Sequence, residues 1–480
     1  MAHFTVKDPL SAPGRFISYI ILAMKEKRFL AVSVIFLLYA AVFIPSYKIA
    51  FVESDVSLFS VTRKSDFEDY YVASRTIAEG ADPYKIQAIK DVKKQFEWKD
   101  IGDPEKIKEF MKKIKGVGTY LYPPLTAFLL LPVSGLDYST ATVIFQTLSM
   151  FAYIAFLYLL YVYTGGSTNR NFFFSVLLST LILYSFLNGN FLHGNILSYL
   201  LLLVGAGLFL SFREERYLNI VGGFLIGIAI VIKVTPIFFG LVLLGKKRFA
   251  AIIGIGSGVI VGLLLPALYT GFEENLVLLQ NWYDLILGNY GKQGIIRPWA
   301  NNQSFSAMIG KLFMPGSEAK QAAYGLPLFG EPFEMNAAKN QLLAVIARYV
   351  NIVFLASGIL IAFFLLFKNF RKNHQLDLQA VRLVYLSTLL SLLTAGVSWY
   401  HAFGMLILPV FLRLDRHHKG EELLRGEKAG LYLLSLFGIL HPLLGNPLRD
   451  GLAMYSIFTL FCTGIAAHTA YLLMREKNGI

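Results

Sequence analysis

The chain has 480 residues, of which 55% are hydrophobic, 15% aromatic and only 16% charged. Soluble domains carry about 25% charged residues, so a soluble multidomain enzyme is excluded. Apolar segments long enough to cross a bilayer recur along the chain, which predicts an all-α polytopic membrane protein. The formal charge of +13 lies mainly in short basic clusters beside these segments. Such clusters mark the cytoplasmic side, so the charge indicates topology and not nucleic-acid binding.

The first elements are a short polar segment, a span and a large loop. Residues 1–28 end in basic residues and are predicted to be cytoplasmic. The apolar run from Phe29 to Ser46 is predicted to be the first span, because no cleavage site of a signal peptide follows it. Residues 48–120 then form an outer loop, and within it residues 52–119 contain equal numbers of acidic and basic residues. The single cysteine, Cys462, excludes a disulfide framework within the chain.

Pro123 and Pro124 precede an apolar run at residues 125–133. This run is too short to span a membrane and is predicted to be re-entrant or interfacial. Full spans follow, and we expect them at about residues 138–163, 172–187 and 195–211.

The next apolar stretch, residues 216–246, has basic residues at both ends. Both ends should therefore be cytoplasmic, yet the stretch is too short for two complete crossings. We expect the chain to turn back within the membrane at residues 233–236, which include Lys233 and Pro236. Such a break requires protein or water around the exposed backbone groups.

The second half of the chain begins with a span at about residues 249–270 and a second outer loop, residues 271–340. The later spans alternate so that each strongly basic connector is cytoplasmic, at about residues 341–367, 379–397, 402–414, 429–445 and 452–474. We expect about ten or eleven transmembrane helices plus re-entrant segments. The predicted division is an N-terminal transmembrane catalytic module at residues 29–270, the second loop, and a C-terminal module at residues 341–480.

Carboxylates and aromatic residues are mixed in residues 66–71, shortly after the first span. On a helix, Asp66, Asp69 and Tyr70 share one face. A carboxylate among aromatic rings loses hydration, which raises its pKa and suits it to accept a hydroxyl proton. Tyrosines beside it can bond sugar hydroxyls. The alternative interpretation is a solvated acidic patch.

Short motifs follow in an order that is informative as a set. Asp66 and Ala73 are followed by Gly-Ala-Asp-Pro-Tyr at residues 80–84, and then by an aromatic, proline-containing turn at residues 120–125. This order resembles glycosyltransferase family 87, the polyprenyl-phosphate-mannose-dependent α-mannosyltransferases of the GT-C superfamily. The resemblance implies a GT-C-type fold with a site where membrane helices meet two extracytoplasmic loops.

Later motifs are similar to the same family in the same order. Residues 192–197 look like its Gly-Gln-x-Asn segment, although Asn195 stands where glutamine is usual and Leu197 where asparagine is usual. Residues 222–236 are similar to its Lys-containing re-entrant turn, and residues 302–304 and 398–401 complete the series.

The resemblance also implies roles for individual residues. In the family a sugar passes with inversion from a polyprenyl phosphate to an acceptor, which requires a base and positive charge near the departing phosphate. By match to the family motif, Asp66 is the candidate base and Asp69, on the same helical face, is the runner-up. Lys233 is the candidate phosphate partner, and its alternative role is to stabilise the turn through backbone carbonyls.

Other side chains are candidates for substrate contacts. His401 and Arg297 are candidate phosphate ligands, and each is also suited to a structural role. The predicted sugar and acceptor contacts are aromatic or amide side chains of the same membrane face, namely Tyr70, Tyr120, Tyr122, Trp299, Asn302, Gln303 and Trp399.

The sequence thus predicts a hexosyltransferase of the plasma (inner) membrane with an extracytoplasmic active site. Its expected partners are membrane lipids, a polyprenyl-phosphate sugar donor, with mannose expected, and a lipid or glycan acceptor, but no nucleic acid. No cofactor is expected. A divalent metal is not expected either, because His193 and His401 have no carboxylate neighbour at ligand spacing.

Two other functional classes remain open. A transporter or flippase for lipid-linked saccharides would also use a broken hairpin with a lysine, but seldom needs two large outer loops rich in carboxylates and aromatics. A polysaccharide polymerase would commonly use arginine pairs in its outer loops, whereas Arg297 is the only arginine in residues 271–340.

Overall fold

A computed structural model describes residues 29–51, 65–84, 120–164, 170–286, 301–313, 337–367, 376–440, 452–453 and 455–475. Within these residues every named element is a helix, and β pairing is limited to one bridge between Asn302 and Trp399. The predicted all-α class is therefore confirmed for the described part of the chain.

The helices of the first half have the following bounds: α1 Phe29–Ser46, α2 Asp66–Ala78, α3 Pro124–Leu129, α4 Leu131–Ser134, α5 Tyr138–Tyr163, α6 Arg170–Ile182, α7 Tyr184–Leu192, α8 Leu197–Ser211 and α9 Arg216–Ile232. A 3-10 helix, Tyr47–Phe51, extends α1. Capping fixes where the long α5 begins, because the side chain of Asp137 accepts the Thr140 N–H at 2.8 Å.

The second half continues with α10 Phe239–Gly245, α11 Phe249–Leu264, α12 Ala267–Thr270, α13 Phe272–Tyr283, α14 Phe305–Phe313, α15 Ala337–Phe367, α16 Leu378–Leu393, α17 Ile407–His418, α18 Arg425–Ser435 and α19 Ile457–Arg475. Short 3-10 helices precede α10 and α17, at Thr235–Phe238 and Tyr400–Leu406, and a π-helix, Leu436–Leu440, follows α18. Helices α13 and α14 lie within the second predicted outer loop.

Several of these helices have the length and composition of membrane spans. In the described part of the chain, four helical stretches can cross a bilayer, namely Tyr138–Tyr163, Phe249–Thr270, Arg348–Leu365 and Ile457–Arg475. The bent pair α6 and α7 would make a fifth. The protein is therefore membrane-embedded, while the total of ten or eleven helices and the division into two modules stay predictions.

Helices α6 and α7 meet at a bend of 71° around Leu183. The hydropathy pattern predicts one span at about residues 172–187. The bend contains no proline; it coincides with a close contact from the π-helix, where a Cβ on Gly438 would lie 1.8 Å from the carbonyl oxygen of Ile182. Only glycine allows this approach of two backbones. A hydropathy pattern gives no information about such a contact between distant segments.

Helices α9 and α11 pack through glycines along their whole length. A Cβ on Gly254 would lie 2.1 Å from the Ile220 carbonyl oxygen, and one on Gly262 would lie 3.0 Å from Val231 Cβ. The contacts advance in the same direction along both helices, so α9 and α11 run parallel. The intervening residues, 233–248, must therefore run back, as the basic residues at both ends of this stretch predict.

Helix α16 occupies the centre of the second half. Every residue from 379 to 393 is buried, and α16 contacts α10, α17 and α19. A helix that is buried along this whole length has neighbouring elements on all sides. This packing places the 3-10 helix before α17, and hence His401, against α7 and α16.

Candidate functional site

The site begins at the N-terminus of α2. Ser65 caps this helix, because its hydroxyl accepts the Glu68 N–H at 3.2 Å, and a further hydrogen bond of 2.9 Å joins it to the Tyr138 hydroxyl. Asp66 is the first helical residue. A carboxylate at this position is stabilised by the helix dipole.

A tight turn at residues 193–195 docks against this helix end. The Asp66 N–H donates to the His193 carbonyl oxygen at 2.7 Å. Between them, Gly194 has φ +61°, and a Cβ at this position would lie 2.9 Å from both Ile49 Cδ1 and Phe67 Cβ. Glycine is therefore required both for the backbone conformation and for the close approach. The turn brings Asn195 beside Asp66.

The carboxylate of Asp66 contacts two side chains that are distant in sequence. Its Oδ2 accepts the Asn195 Nδ2 at 2.8 Å and lies 3.2 Å from His401 Nε2. Among the described residues, the hydrogen bonds to this carboxylate all end on Oδ2. The side chain of Asp66 is 25% exposed, so Oδ1 is the oxygen that can meet a substrate.

The environment of Asp66 corrects one sequence-based expectation. Burial does raise its pKa, as expected for a carboxylate among aromatic rings. However, the hydrogen bond and charge of His401 and the hydrogen bond of Asn195 outweigh burial, and the pKa of Asp66 is lowered to about 2. Asp66 is therefore ionised throughout the physiological pH range.

His401 is held in place by its surroundings. A Cβ on Gly189 would lie 3.2 Å from the Cβ of His401, so the histidine packs directly on the backbone of α7. Its ring lies 5.3 Å from that of His193, with an angle of 34° between the planes. The exposed imidazole of His193 thus lies beside the pair of Asp66 and His401.

Tyrosines form one wall of the site. The buried Tyr70 hydroxyl donates to the Tyr122 hydroxyl at 3.0 Å, and the two rings meet edge to face. The Tyr84 hydroxyl donates to the Tyr122 carbonyl at 2.8 Å. Burial raises the pKa of Tyr70 and of Tyr122 well above the usual tyrosine value. Both therefore remain neutral hydroxyl groups that can donate hydrogen bonds.

Lys233 belongs to the same region. It follows α9 in an extended conformation, with φ −151° and ψ 124°. Its Nζ lies 5.9 Å from the centre of the Tyr122 ring, and it interacts electrostatically with Asp66. The Thr126 hydroxyl donates to the Ile232 carbonyl at 3.0 Å, which ties α3 to the turn before Lys233.

Asn302, Gln303 and Trp399 lie where two segments meet near His401. The Asn302 Oδ1 accepts the Ser398 N–H at 2.9 Å, and the Gln303 Oε1 accepts the Thr459 hydroxyl at 2.8 Å. Both amide side chains are fully buried. In this structure they join backbone segments that lead to His401, and their predicted sugar contacts stay predictions.

The remaining predicted residues have different locations. Asp69 is half-buried one turn after Asp66, and Tyr120 is buried, where its hydroxyl accepts the Ala127 N–H at 2.9 Å. Arg297 and Trp299 lie outside the described residues. The sequence pattern alone indicates no role for Asn195. A polar residue after glycine at the start of an apolar helix was the available signal, but its partners are remote in sequence.

The described residues contain no group of three or more His, Cys, Asp or Glu side chains that could hold a metal ion. The ionisable groups brought together here are instead a carboxylate, two imidazoles and one amino group. Such a set can accept a proton and bind an anion within a short distance.

Comparison with known proteins identifies the family. The sequence model of glycosyltransferase family 87 matches residues 120–396, which is more than half of the chain. This range includes Asn195 and Lys233 and excludes Asp66 and His401. No curated protein and no solved structure matches the chain. By the extent of the family match, the chain belongs to glycosyltransferase family 87.

Proposed function

We propose that the protein transfers a hexose, with mannose as the expected sugar, from a polyprenyl-phosphate donor to a lipid or glycan acceptor at the extracytoplasmic membrane surface. The observation that carries this proposal is the Asp66 carboxylate. One of its oxygens is anchored by Asn195 and His401, while the group stays partly exposed beside Tyr122 and Lys233. Membership of the family supports glycosyl transfer as the reaction.

The location of basic residues supports an extracytoplasmic site. Helix α8 leads from Asn195 towards Arg213, and α9 leads from Arg216 to Lys233. The basic residues thus lie at the helix ends opposite the site, about 22 Å away for a helix of fifteen residues. Lys and Arg next to spans favour the cytoplasm.

This orientation makes a prediction about labelling from outside the cell. Cysteines introduced by Arg63→Cys and Lys419→Cys should differ, with only position 63 accessible to an impermeant thiol reagent in intact cells. The native Cys462 is buried, so it should contribute little background. Labelling at 419 but not at 63 would invert the topology and place the site in the cytoplasm.

The proposed chemistry uses the groups of the site as follows. Asp66 Oδ1 accepts the proton of the acceptor hydroxyl. At the same time, the oxygen of that hydroxyl forms a bond to the anomeric carbon of the donor sugar. The bond from that carbon to the phosphate oxygen breaks, and the polyprenyl phosphate leaves with the electron pair. Attack opposite the leaving group inverts the anomeric carbon.

Nitrogen groups next to the carboxylate would stabilise the departing phosphate. Lys233 lies close enough to interact with Asp66, and His401 contacts the carboxylate directly. A phosphate between them would receive charge-assisted hydrogen bonds, which are stronger than neutral ones. The isoprenoid tail would remain among the membrane helices.

A lipid-linked saccharide transporter is the alternative function, because the chain reverses at Lys233 as transporter hairpins do. A purified sample in liposomes distinguishes the two. Incubation with radiolabelled polyprenyl-phosphate sugars and a host lipid extract should yield a labelled glycoside and release polyprenyl phosphate. Movement of intact donor between leaflets without glycoside formation would overturn the proposed transfer.

A further inference from the structure

The side chain of Asn195 lies close to both members of the acid–histidine pair. Its Nδ2 lies 2.8 Å from Asp66 Oδ2 and 3.4 Å from His401 Nε2. The residue is only 3% exposed, and its backbone N–H donates to the Asn190 carbonyl at 3.1 Å. The side chain is therefore held rigidly against the carboxylate.

The roles of the three groups follow from which atoms can donate. Asp66 is ionised, so His401 Nε2 must carry a proton to approach Oδ2 favourably at 3.2 Å. The amide nitrogen of Asn195 is also a donor. The 3.4 Å separation between the two nitrogens is then a contact between donors that share one acceptor. Oδ2 is bonded twice, which fixes the rotation of the carboxylate.

We propose that Asn195 is a positioning residue that, together with His401, holds Asp66 Oδ2 and thereby directs Oδ1 to the acceptor hydroxyl. This inference rests on the proposed function. It gives a role to Asn195, which occupies a position where glutamine is usual in the family. In this role Asn195 does not touch the reacting atoms and acts through Asp66.

Removing the amide should have two consequences. The carboxylate would rotate more freely, which lowers the fraction of encounters with correct geometry and hence kcat, while donor binding is unchanged. Asp66 would also lose a hydrogen bond to its charged form, so its protonation would move to higher pH. A purely structural residue would produce neither change in a correctly folded variant.

The test compares three variants with a matched control. Asn195→Leu removes the donor, Asn195→Asp places a second carboxylate beside Asp66, and Asn195→Gln introduces the amide usual in the family. Asn190→Leu is the control, because Asn190 is fully buried in the same segment and its side-chain atoms have no hydrogen-bond partner among the described residues. Thermal unfolding in detergent checks that each variant is folded.

Steady-state transfer at neutral pH is the first measurement. We expect Asn195→Leu to lower kcat about ten- to a hundred-fold, as for loss of a hydrogen bond to a charged group, with donor KM within about twofold of wild type. Asn195→Gln should recover at least part of this loss. A change in KM alone, or a kcat loss equal to that of Asn190→Leu, would overturn the proposal.

The second measurement does not depend on turnover. The infrared band of the protonated Asp66 carboxyl, identified by its loss in Asp66→Asn, is followed in reconstituted protein as the pH is lowered. For wild type and Asn190→Leu it should appear only near pH 3 or below, since the pKa of Asp66 is about 2. We expect Asn195→Leu to shift it upward by about one pH unit, and Asn195→Asp by more, because two adjacent carboxylates share a proton.

The two measurements separate failure of the inference from failure of the proposed function. If wild type transfers sugar but neither kcat nor the infrared titration responds to Asn195, the inference is wrong and the function stands. If the infrared titration shifts but wild type transfers no sugar from any donor, Asn195 still positions Asp66 and the proposed transfer is wrong.

Discussion

The buried charged side chains at the two ends of the helix bundle have different kinds of partner. At the end where α10 and α18 meet α16 and α17, cations pair with carboxylates: Lys246 Nζ lies 2.7 Å from Asp377 Oδ2, and Glu427 accepts hydrogen bonds from both Arg382 and Arg413. At the opposite end, Asp66 pairs with an imidazole and an amide, and Lys233 lies near an aromatic ring. In the first arrangement, each of these cations has a carboxylate partner within the protein itself.

At the end that contains Asp66 and Lys233, these charged groups can interact with a substrate. An imidazole and an amide contact Asp66, and an aromatic ring lies near Lys233. Asp66 and Lys233 do not form an ion pair with each other at contact distance. An incoming hydroxyl group and a phosphate can therefore bind these groups without first breaking a strong salt bridge. The contrast predicts that substitutions at the paired end change stability, whereas those at the other end change turnover.

The largest expected effect on stability is at Glu427. Glu427→Gln keeps the volume but leaves the guanidinium groups of Arg382 and Arg413 without their carboxylate. Loss of one partner of a buried pair typically costs about 3–5 kcal/mol. Thermal unfolding should show this destabilisation, and transfer per folded molecule should stay near wild type. Unchanged stability would mean that the paired end does not hold the fold together.

Two lysines on the same hairpin provide a matched comparison of intermediate size. Lys246→Met should reduce the free energy of unfolding by about 2 kcal/mol and leave use of the donor unchanged. This value is smaller than for a fully buried pair because the side chain of Asp377 is 29% exposed. Lys233→Met should do the reverse, with stability near wild type and kcat/KM for the donor lowered about ten- to a hundred-fold. Lys233→Arg should retain part of the activity.

Parallel unfolding and donor-titration experiments on these lysine variants decide the outcome. If Lys233→Met aggregates or keeps full turnover, the lysine stabilises the turn, and the phosphate partner would have to be sought at His401 or Arg297.

The smallest effect is expected at an exposed pair of the same basic end. Lys419 Nζ lies 2.7 Å from Asp415 Oδ2, but the lysine side chain is 49% exposed. Exposed pairs one helical turn apart contribute less than about 1 kcal/mol. Lys419→Ala should therefore leave both unfolding and transfer nearly unchanged. A loss of stability similar to that of Glu427→Gln would show that the exposure of an ion pair does not indicate its contribution to stability in this protein.

The elements that depend on hydropathy and charge were accessible from sequence. Apolar runs located α5, α8 and α11 closely, because crossing a bilayer requires a minimum length. The basic residues at both ends of residues 216–246 predicted the reversal at Lys233. The bend at Leu183 was not accessible, since it coincides with a contact from Gly438, which is far along the chain.

The site was accessible only in part. The family resemblance selected Asp66, Lys233 and His401, but not their mutual contacts, and it gave no role to Asn195. The expected rise in the pKa of Asp66 was wrong because burial was considered without the two hydrogen-bond donors. Those donors come from positions well over a hundred residues away in the chain, so no local pattern could reveal them.

The most direct test of the account is the transfer reaction of Asp66→Asn compared with Asp69→Asn in the same liposomes. Asp66→Asn keeps the size of the side chain and removes its ability to accept a proton. Loss of a positioned base typically lowers the rate about a hundred- to ten-thousand-fold. We predict that Asp66→Asn binds the polyprenyl-phosphate donor and remains folded but shows this loss, and that Asp69→Asn is milder. Near-normal transfer by folded Asp66→Asn would contradict the central claim, and a greater loss in Asp69→Asn would move the base to Asp69.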